Sequence, residues 1–296
     1  MALIGVFDSG VGGLSILKAL LAELPSERFI YFADAGHAPY GEKSGHQVLA
    51  RSRAVTDYLL SQGVQALVVA CNTATAAAID SLRADHPDLP IIGVEPGLKP
   101  AHALSQTRRI GVMATQGTLE SPRFKRLLKS FGDDAVFTLR ACSGLAMAIE
   151  QSTHVKDMDP AGDAEVRASC EQHIRSMGAF GTAPGQIDTL VLGCTHYPFA
   201  LPVLRELVGP AVRFIDPGEP VARQTRHRLE AAQAMDSGPA QAGGSSGAQD
   251  ATLRLETSGK AADLQMAAER WLGLPAGALA RTVDLSAQPT PQAQCK

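Results

Sequence analysis

The chain has 296 residues, 45% of them hydrophobic and 19% charged, and a formal net charge of -3. A folded chain of this length buries roughly three quarters of its unfolded surface and divides into about two domains of moderate size. The composition excludes an electrostatic footprint for nucleic acid or an anionic membrane, a membrane helix of ~20 apolar residues, and, with five scattered cysteines, a secreted disulfide framework.

In chain order, the predicted strands of a first series are Leu3–Asp8 ("LIGVFD"), Arg28–Asp34, Ala66–Ala70 and Ile91–Val94. A second series follows at Arg109–Ala114, Ala135–Ala141, Thr189–Gly193 and Val212–Pro217. The first pattern starts at Leu3, leaving no room ahead of it for a basic and apolar leader, so the expected compartment is the cytoplasm with reduced thiols. Helical spacing lies between the strands, as in Leu14, Leu17, Leu20, Leu21 and Leu24, or Val48, Val55, Tyr58, Leu59 and Val64. The short basic cluster Arg123–Lys129 reads as the solvated face of a helix. Strands apolar on both faces, alternating with helices, predict an α/β protein of two similar domains. Each is a parallel-type sheet flanked by helices, with the active site between them.

Gly97–Arg109 reads as a crossover between sheets, with a return near Pro210–Pro217. The expected domains are therefore 1–97 together with 213–296, and 98–212. The Gly/Ser/Ala-rich stretch 235–250 reads as a flexible loop. A strand pattern "ATLRLETSG" and a helix pattern "KAADLQMAAERWLG" come after it. The tail 286–296 is expected to be disordered, which makes Cys295 a bystander.

Ligands of open α/β sheets bind beyond the carboxyl ends of the strands. Asp8, Asp34, Cys71, Thr115 and Cys194 fall at such ends. "FDSGVGGLS" (Phe7–Ser15) lacks the third glycine of a dinucleotide loop and the Gly-Lys-Ser/Thr of a P-loop. It reads either as an anion-suited strand-to-helix turn or as a close structural turn capped by Ser9. Two cysteines stand at the ends of look-alike strands, in "LVVACNTAT" (Leu67–Thr75) and "LVLGCTHYP" (Leu190–Pro198). Neither has the paired ligand spacing of a zinc site, and a disulfide is out of place among reduced thiols. Inert burial, the reading given to Cys142 and Cys170, is the bland alternative. Both strand-end thiols sit near helix N-termini, which favour a thiolate. A lone nucleophile with His196 as its base explains one site. Two thiols on opposite faces of a bound carbon, one removing a proton and the other returning one, explain both.

Five segments carry a family resemblance: "GVFDSGVGGLSIL", "YFADAGHAPYGEKS", "VVACNTATAAA", "GVEPGLKPA" and "LVLGCTHYP". They run in order from Gly5 to Pro198, and the chain resembles the cofactor-independent aspartate/glutamate racemase superfamily, in particular its glutamate racemases. The resemblance implies L-/D-glutamate interconversion for peptidoglycan synthesis without pyridoxal phosphate or metal, with Cys71 and Cys194 as the acid/base pair. Asp8 is implied to assist Cys71, and Glu150 and His196 to assist Cys194. Implied substrate contacts are Asp8, holding the ammonium, with Ser9, Tyr40, Gly41, Asn72, Thr73, Thr115, Thr118, Thr195 and His196. The resemblance also implies a homodimer. It carries two alternatives: an aspartate racemase or related isomerase using the same thiols, and a second role in binding DNA gyrase that the surface composition neither supports nor excludes.

Overall fold

The computed structural model describes residues 1–153, 164–235, 252–275 and 279–285. Most of the expected loop at 235–250 and the whole tail with Cys295 lie outside them.

The first domain begins β1 (Leu3–Asp8), α1 (Leu14–Glu23), β2 (Arg28–Ala33), α2 (Gly45–Ser61), β3 (Ala66–Val69), α3 (Asn72–Asp85) and β4 (Ile91–Gly93). The helix α4 (Leu98–Leu104) makes the crossover. The second domain holds β5 (Arg109–Ala114), α5 (Gln116–Glu120), α6 (Pro122–Lys129), β6 (Val136–Ala141), α7 (Leu145–Ser152), α8 (Ala164–Arg175), β7 (Thr189–Gly193), α9 (Leu201–Val208) and β8 (Arg213–Ile215). The chain then returns through α10 (Gly218–Met235), β9 (Leu253–Thr257), α11 (Ala261–Leu272) and β10 (Ala280–Thr282).

Six strands form one sheet in the order β10-β9-β2-β1-β3-β4, and four form the other in the order β6-β5-β7-β8. Every pairing between these strands is parallel. The period-2 pattern shows why the first sheet is covered on both faces. Ile4, Val6, Phe29, Tyr31 and Val68 pack in one core with Leu14, Leu17 and Leu20 of α1. Phe7, Ile30, Phe32, Leu67 and Val69 pack in another with Val55 and Leu59 of α2 and Leu82 of α3. The second sheet does the same on a smaller scale, Leu190 and Leu192 on one side and Val191 with Ile110 and Val112 on the other.

β8 hydrogen-bonds to β7, so the strand that a boundary at 213 assigns to the first domain belongs to the second sheet. The crossing falls after Ile215, where "DPG" ends the strand. On α11, Trp271 stacks on Phe199 of the second domain at 4.2 Å between ring centroids. Its neighbour Arg270 donates to the Ser152 carbonyl at the end of α7.

β9 carries a buried carboxylate, Glu256, with no solvent exposure. Its Oε1 accepts from Arg254 and Arg281 at 2.7 and 2.6 Å, and its Oε2 from the Tyr58 hydroxyl at 2.8 Å. Removing the central partner strands three donors, whereas removing a half-exposed arginine leaves the others in place. Glu256→Ala is therefore expected to cost about 3 kcal/mol in urea unfolding, and Arg281→Ala under about 1 kcal/mol.

Candidate active site

The neighbouring strands β1 and β3 of the first sheet and the two central strands β5 and β7 of the second direct their carboxyl ends at one cavity of about 400 Å³. Its wall includes Ser9, Tyr40, Gly41, Cys71, Asn72, Thr73, Thr115, Glu150, Cys194, Thr195 and His196. Both strand-end cysteines line it, and they lie within electrostatic reach of each other. Asp8 and Thr118 are not in the wall. Each is buried behind a neighbour that is.

β3 runs buried to Val69 and hands over to α3 at Cys71, the N-cap. The Cys71 sulfur accepts from the Ala74 N–H at 3.4 Å, which accounts for the abrupt turn from apolar to polar sequence. The thiol points on to the Ser9 hydroxyl at 3.7 Å, and Ser9 in turn donates to Asp8 Oδ1 at 3.4 Å. Asp8 also accepts from the Gly10 N–H at 2.8 Å and, across the domain seam, from the Thr195 hydroxyl at 3.0 Å. A second relay stands beside it. The Cys194 sulfur lies 3.7 Å from His196 Nδ1, and His196 Nε2 lies 2.8 Å from the Glu150 carboxylate. Each thiol thus leads, through one polar side chain, to a carboxylate.

The glycine run makes the seam close. A Cβ on Gly12 would overlap the His196 ring, and one on Gly13 would stand 2.6 Å from Asp8 Cβ. The helix cap is Gly13, without a side-chain hydrogen bond, so Ser9 is a wall residue rather than the expected cap. Opposite, Thr115 caps α5. It shares a hydrogen bond with Thr73 at 2.9 Å and donates to Thr118 at 2.9 Å. Thr118 therefore acts from behind. Asn72 donates its Nδ2 to the Val94 carbonyl at 3.3 Å, and its buried Oδ1 has no partner among the described residues. The free atom is an acceptor, suited to an ammonium rather than to a carboxylate.

Burial pushes the Cys71 thiol up to about 12, with the Asp8 charge adding to it and the Ala74 N–H and Ser9 opposing. Desolvation outweighs the helix N-terminus, so the thiolate expected from strand-end placement gives way to a thiol. Burial also raises Asp8 to about 6, against the pull of His196 and the Gly10 N–H. His196 runs the other way. Burial opposes its charge, but the Cys194 sulfur and Glu150 hold its proton well above the ordinary imidazole range.

The cavity also includes residues absent from the sequence-based candidates: Ser143, Ala146 and Met147 around the start of α7, and Gly259, Lys260 and Leu264 around the start of α11. The carboxyl-end rule points to both groups, applied to β9 for the second and to β6 for Ser143 in the first. Among the described residues no group of three or more His, Cys, Asp or Glu side chains is placed to hold a metal ion. No helix among them is long and apolar enough to cross a membrane.

Replacing Glu150 by Gln removes one of the two groups that keep the proton on His196. The His196 imidazole is then expected to deprotonate at lower pH than in the parent, as followed by NMR titration of the ring. An unchanged titration would disconnect Glu150 from His196.

Comparison with known proteins bears directly on this cavity. The family model described as Asp/Glu/Hydantoin racemase matches residues 4–225, a span containing both cysteines. A glutamate racemase of Pseudomonas aeruginosa is 46% identical over 242 residues, covering 81% of this chain and 86% of that protein. The crystal structure of glutamate racemase isoform RacE1 from Bacillus anthracis superposes with a TM-score of 0.78 at 29% identity, covering 97% of this chain and 99% of that one. The Escherichia coli glutamate racemase, solved in complex with L-glutamate and the activator UDP-MurNAc-ala, superposes with a TM-score of 0.75 at 28% identity, covering 91% and 95%. With its two parallel sheets and the cavity between their carboxyl ends, the chain belongs to the Asp/Glu/Hydantoin racemase family, on the branch of the glutamate racemases.

Proposed function

We propose that the chain interconverts L- and D-glutamate by transferring the α-proton between Cys71 and Cys194, without pyridoxal phosphate, in the cytoplasm, and so supplies D-glutamate for peptidoglycan synthesis. The observation that carries this reading is one cavity walled by two thiols from two different sheets, each backed by its own relay to a carboxylate. The names of the similar proteins supply the substrate.

One thiol, as thiolate, removes the α-proton, and the other, as thiol, returns a proton to the opposite face. A base that acts on a carbon acid must be strong, and a thiol at about 12 yields a strongly basic thiolate. The cost lies in forming it, roughly 7 kcal/mol at pH 7 for Cys71. Ser9 connects Cys71 to Asp8, which at about 6 is ionised at neutral pH and ready to accept that proton. Protonated His196 faces Cys194 and can give it a proton, and once neutral can take one back. The substrate ammonium faces Ser9 and Asn72 in the wall, with the Asp8 carboxylate behind Ser9, while the hydroxyls of Thr73, Thr115 and Thr195 exchange their internal acceptors for the substrate carboxylates. Donors fixed in a water-poor cavity stabilise the developing dianion.

Circular dichroism and α-proton exchange of glutamate in D₂O test the proton transfer. Cys71→Ser and Cys194→Ser are each expected to lower racemisation by at least about 10²–10⁴-fold, and a double variant that still racemises rules the assignment out. Aspartate turned over as fast as glutamate would remove the glutamate specificity. The pH profile tests the relay. Asp8 must be ionised to accept a proton, so kcat/KM is expected to fall as pH drops through about 6. In Asp8→Asn that limb should vanish along with most of the activity.

A further inference from the structure

Asp34, one residue beyond β2, has no solvent exposure and makes no part of the cavity wall. Its strand-end position marked it as a candidate ligand-binding carboxylate, yet both its oxygens are occupied from within the protein. Arg51 of α2 forks onto them, Nη2 to Oδ1 at 2.8 Å and Nε to Oδ2 at 3.0 Å. The Tyr40 hydroxyl donates to Oδ2 at 2.5 Å and the Ser258 hydroxyl to Oδ1 at 2.7 Å. His37 Nδ1 lies 3.2 Å from Oδ1. Burial works against the charge on Asp34, but the hydrogen bonds from Arg51, Tyr40 and Ser258 outweigh it and hold the carboxyl below its usual range.

Arg51 lies outside the cavity wall, but Tyr40, His37 and Ser258 fall within two separate stretches that line it. One is Ala35 to Gly41, and the other is Thr257 to Lys260 at the turn from β9 to α11. The two stretches also touch directly, since the Gly36 N–H donates to Ser258 Oγ at 3.1 Å. Tyr40 spends its hydroxyl on Asp34, so it offers the cavity only its backbone and shape. Gly41 then abuts Thr115, to which a Cβ on the glycine would come within 3.1 Å, and Thr115 shares its hydrogen bond with Thr73. A shift at Tyr40 is therefore transmitted to the hydroxyls that line the opposite side.

We propose that the Asp34–Arg51 pair is a positioning device for the amino-acid pocket, fixing the Tyr40–Gly41 wall and, through Ser258, the Gly259–Lys260 wall at the separation that grips the substrate. It rests on the reading of this cavity as the glutamate site, but the rigidity it confers does not. Such a device supports ground state and transition state alike, so its loss appears in KM more than in kcat.

Arg51→Met and Arg51→Lys separate this role from simple stabilisation. In Arg51→Met, amides of 35–43 and 257–260 are expected to exchange with D₂O about tenfold faster, with the β1 and β3 peptides unchanged. KM for glutamate is expected to rise about tenfold with kcat within about threefold, and lysine, which keeps the charge but loses the fork, to recover part of both. A lowered melting temperature with unchanged KM and unchanged exchange in these two stretches overturns the proposal, as does faster exchange spread evenly over the chain. Should Arg51→Met fail to fold, Tyr40→Phe removes only one hydroxyl. The same local exchange and KM increase then support the device, and parent-like values in both overturn it. If the parent protein does not racemise glutamate, the racemase reading fails while the exchange result still decides whether the clamp exists.

Discussion

A carboxylate with no access to water, Asp8, sits where the two sheets meet, and the surrounding architecture serves to keep it there. Removing such a charge from water costs several kcal/mol unless neighbours replace the lost solvation. The Gly10 N–H and the Thr195 hydroxyl replace part of it, one from each domain. Asp8 nevertheless rises to about 6, so the replacement is incomplete. The residual cost makes the group useful, because a carboxylate with ordinary solvation would be a poorer proton acceptor. Keeping it dry requires the domains to close tightly at this point, and Gly12 and Gly13 are the means. Any side chain there would push away the His196 ring or Asp8 itself. The same tightness explains why a glycine-rich turn after the first strand is no nucleotide loop. Its backbone faces another domain, with the Ser15 hydroxyl closing on the Thr195 carbonyl at 2.8 Å.

A raised thiol pKa does not by itself mark a working cysteine. Burial lifts Cys142 and Cys170 to about 12, as it does Cys71. Cys170 is packed inside the second domain, away from the wall of this cavity. Cys142 touches the cavity, but its thiol meets the Arg140 carbonyl and the Tyr197 hydroxyl, and no carboxylate follows either of them among the contacts of the described residues. Cys71 and Cys194 differ because their sulfurs meet a hydroxyl and an imidazole, each continuing to a carboxylate. The connection distinguishes a proton-transfer thiol from an inert one when the burial is the same.

Much of the fold is legible in the sequence because its strands are buried on both faces, which leaves short apolar runs with sharp polar ends. Those ends alone mark Cys71, Thr115 and Cys194. β10 escapes such a reading because it is a three-residue edge strand with exposed side chains, carrying no periodic signal. β8 is legible as a strand, but its three residues give no sign of the sheet they join, so a boundary at 213 leaves it with the first domain although it pairs with β7. The thiolate expectation fails for a different cause. Sequence shows that Cys71 precedes a helix but not that it loses nearly all contact with water, and desolvation is the larger effect. Glu150 is legible only through family resemblance, because nothing in an exposed-looking helix pattern shows that α7 turns it onto His196. The tie between Asp34 and Ser258 spans 224 positions of sequence, and no local pattern encodes it.

The two relays match in order but not in chemistry. Cys71 is served by a neutral hydroxyl and a carboxylate that ionises near 6, whereas Cys194 is served by an imidazole that holds its proton beside a second carboxylate. A symmetric reaction does not demand symmetric machinery. For an enzyme that interconverts mirror-image substrates the equilibrium constant is one, so kcat/KM must be equal in the two directions whatever groups flank each thiol. Unequal flanks are therefore free to differ in how they divide that common value between binding and turnover. In the proposed reaction the side poised as an acid at rest would let one enantiomer bind ready to react, while the other would first meet a rearranged proton. On that reading, selection on the combined rate would constrain the pair of relays as a unit, with two different solutions at the ends of two similar strands.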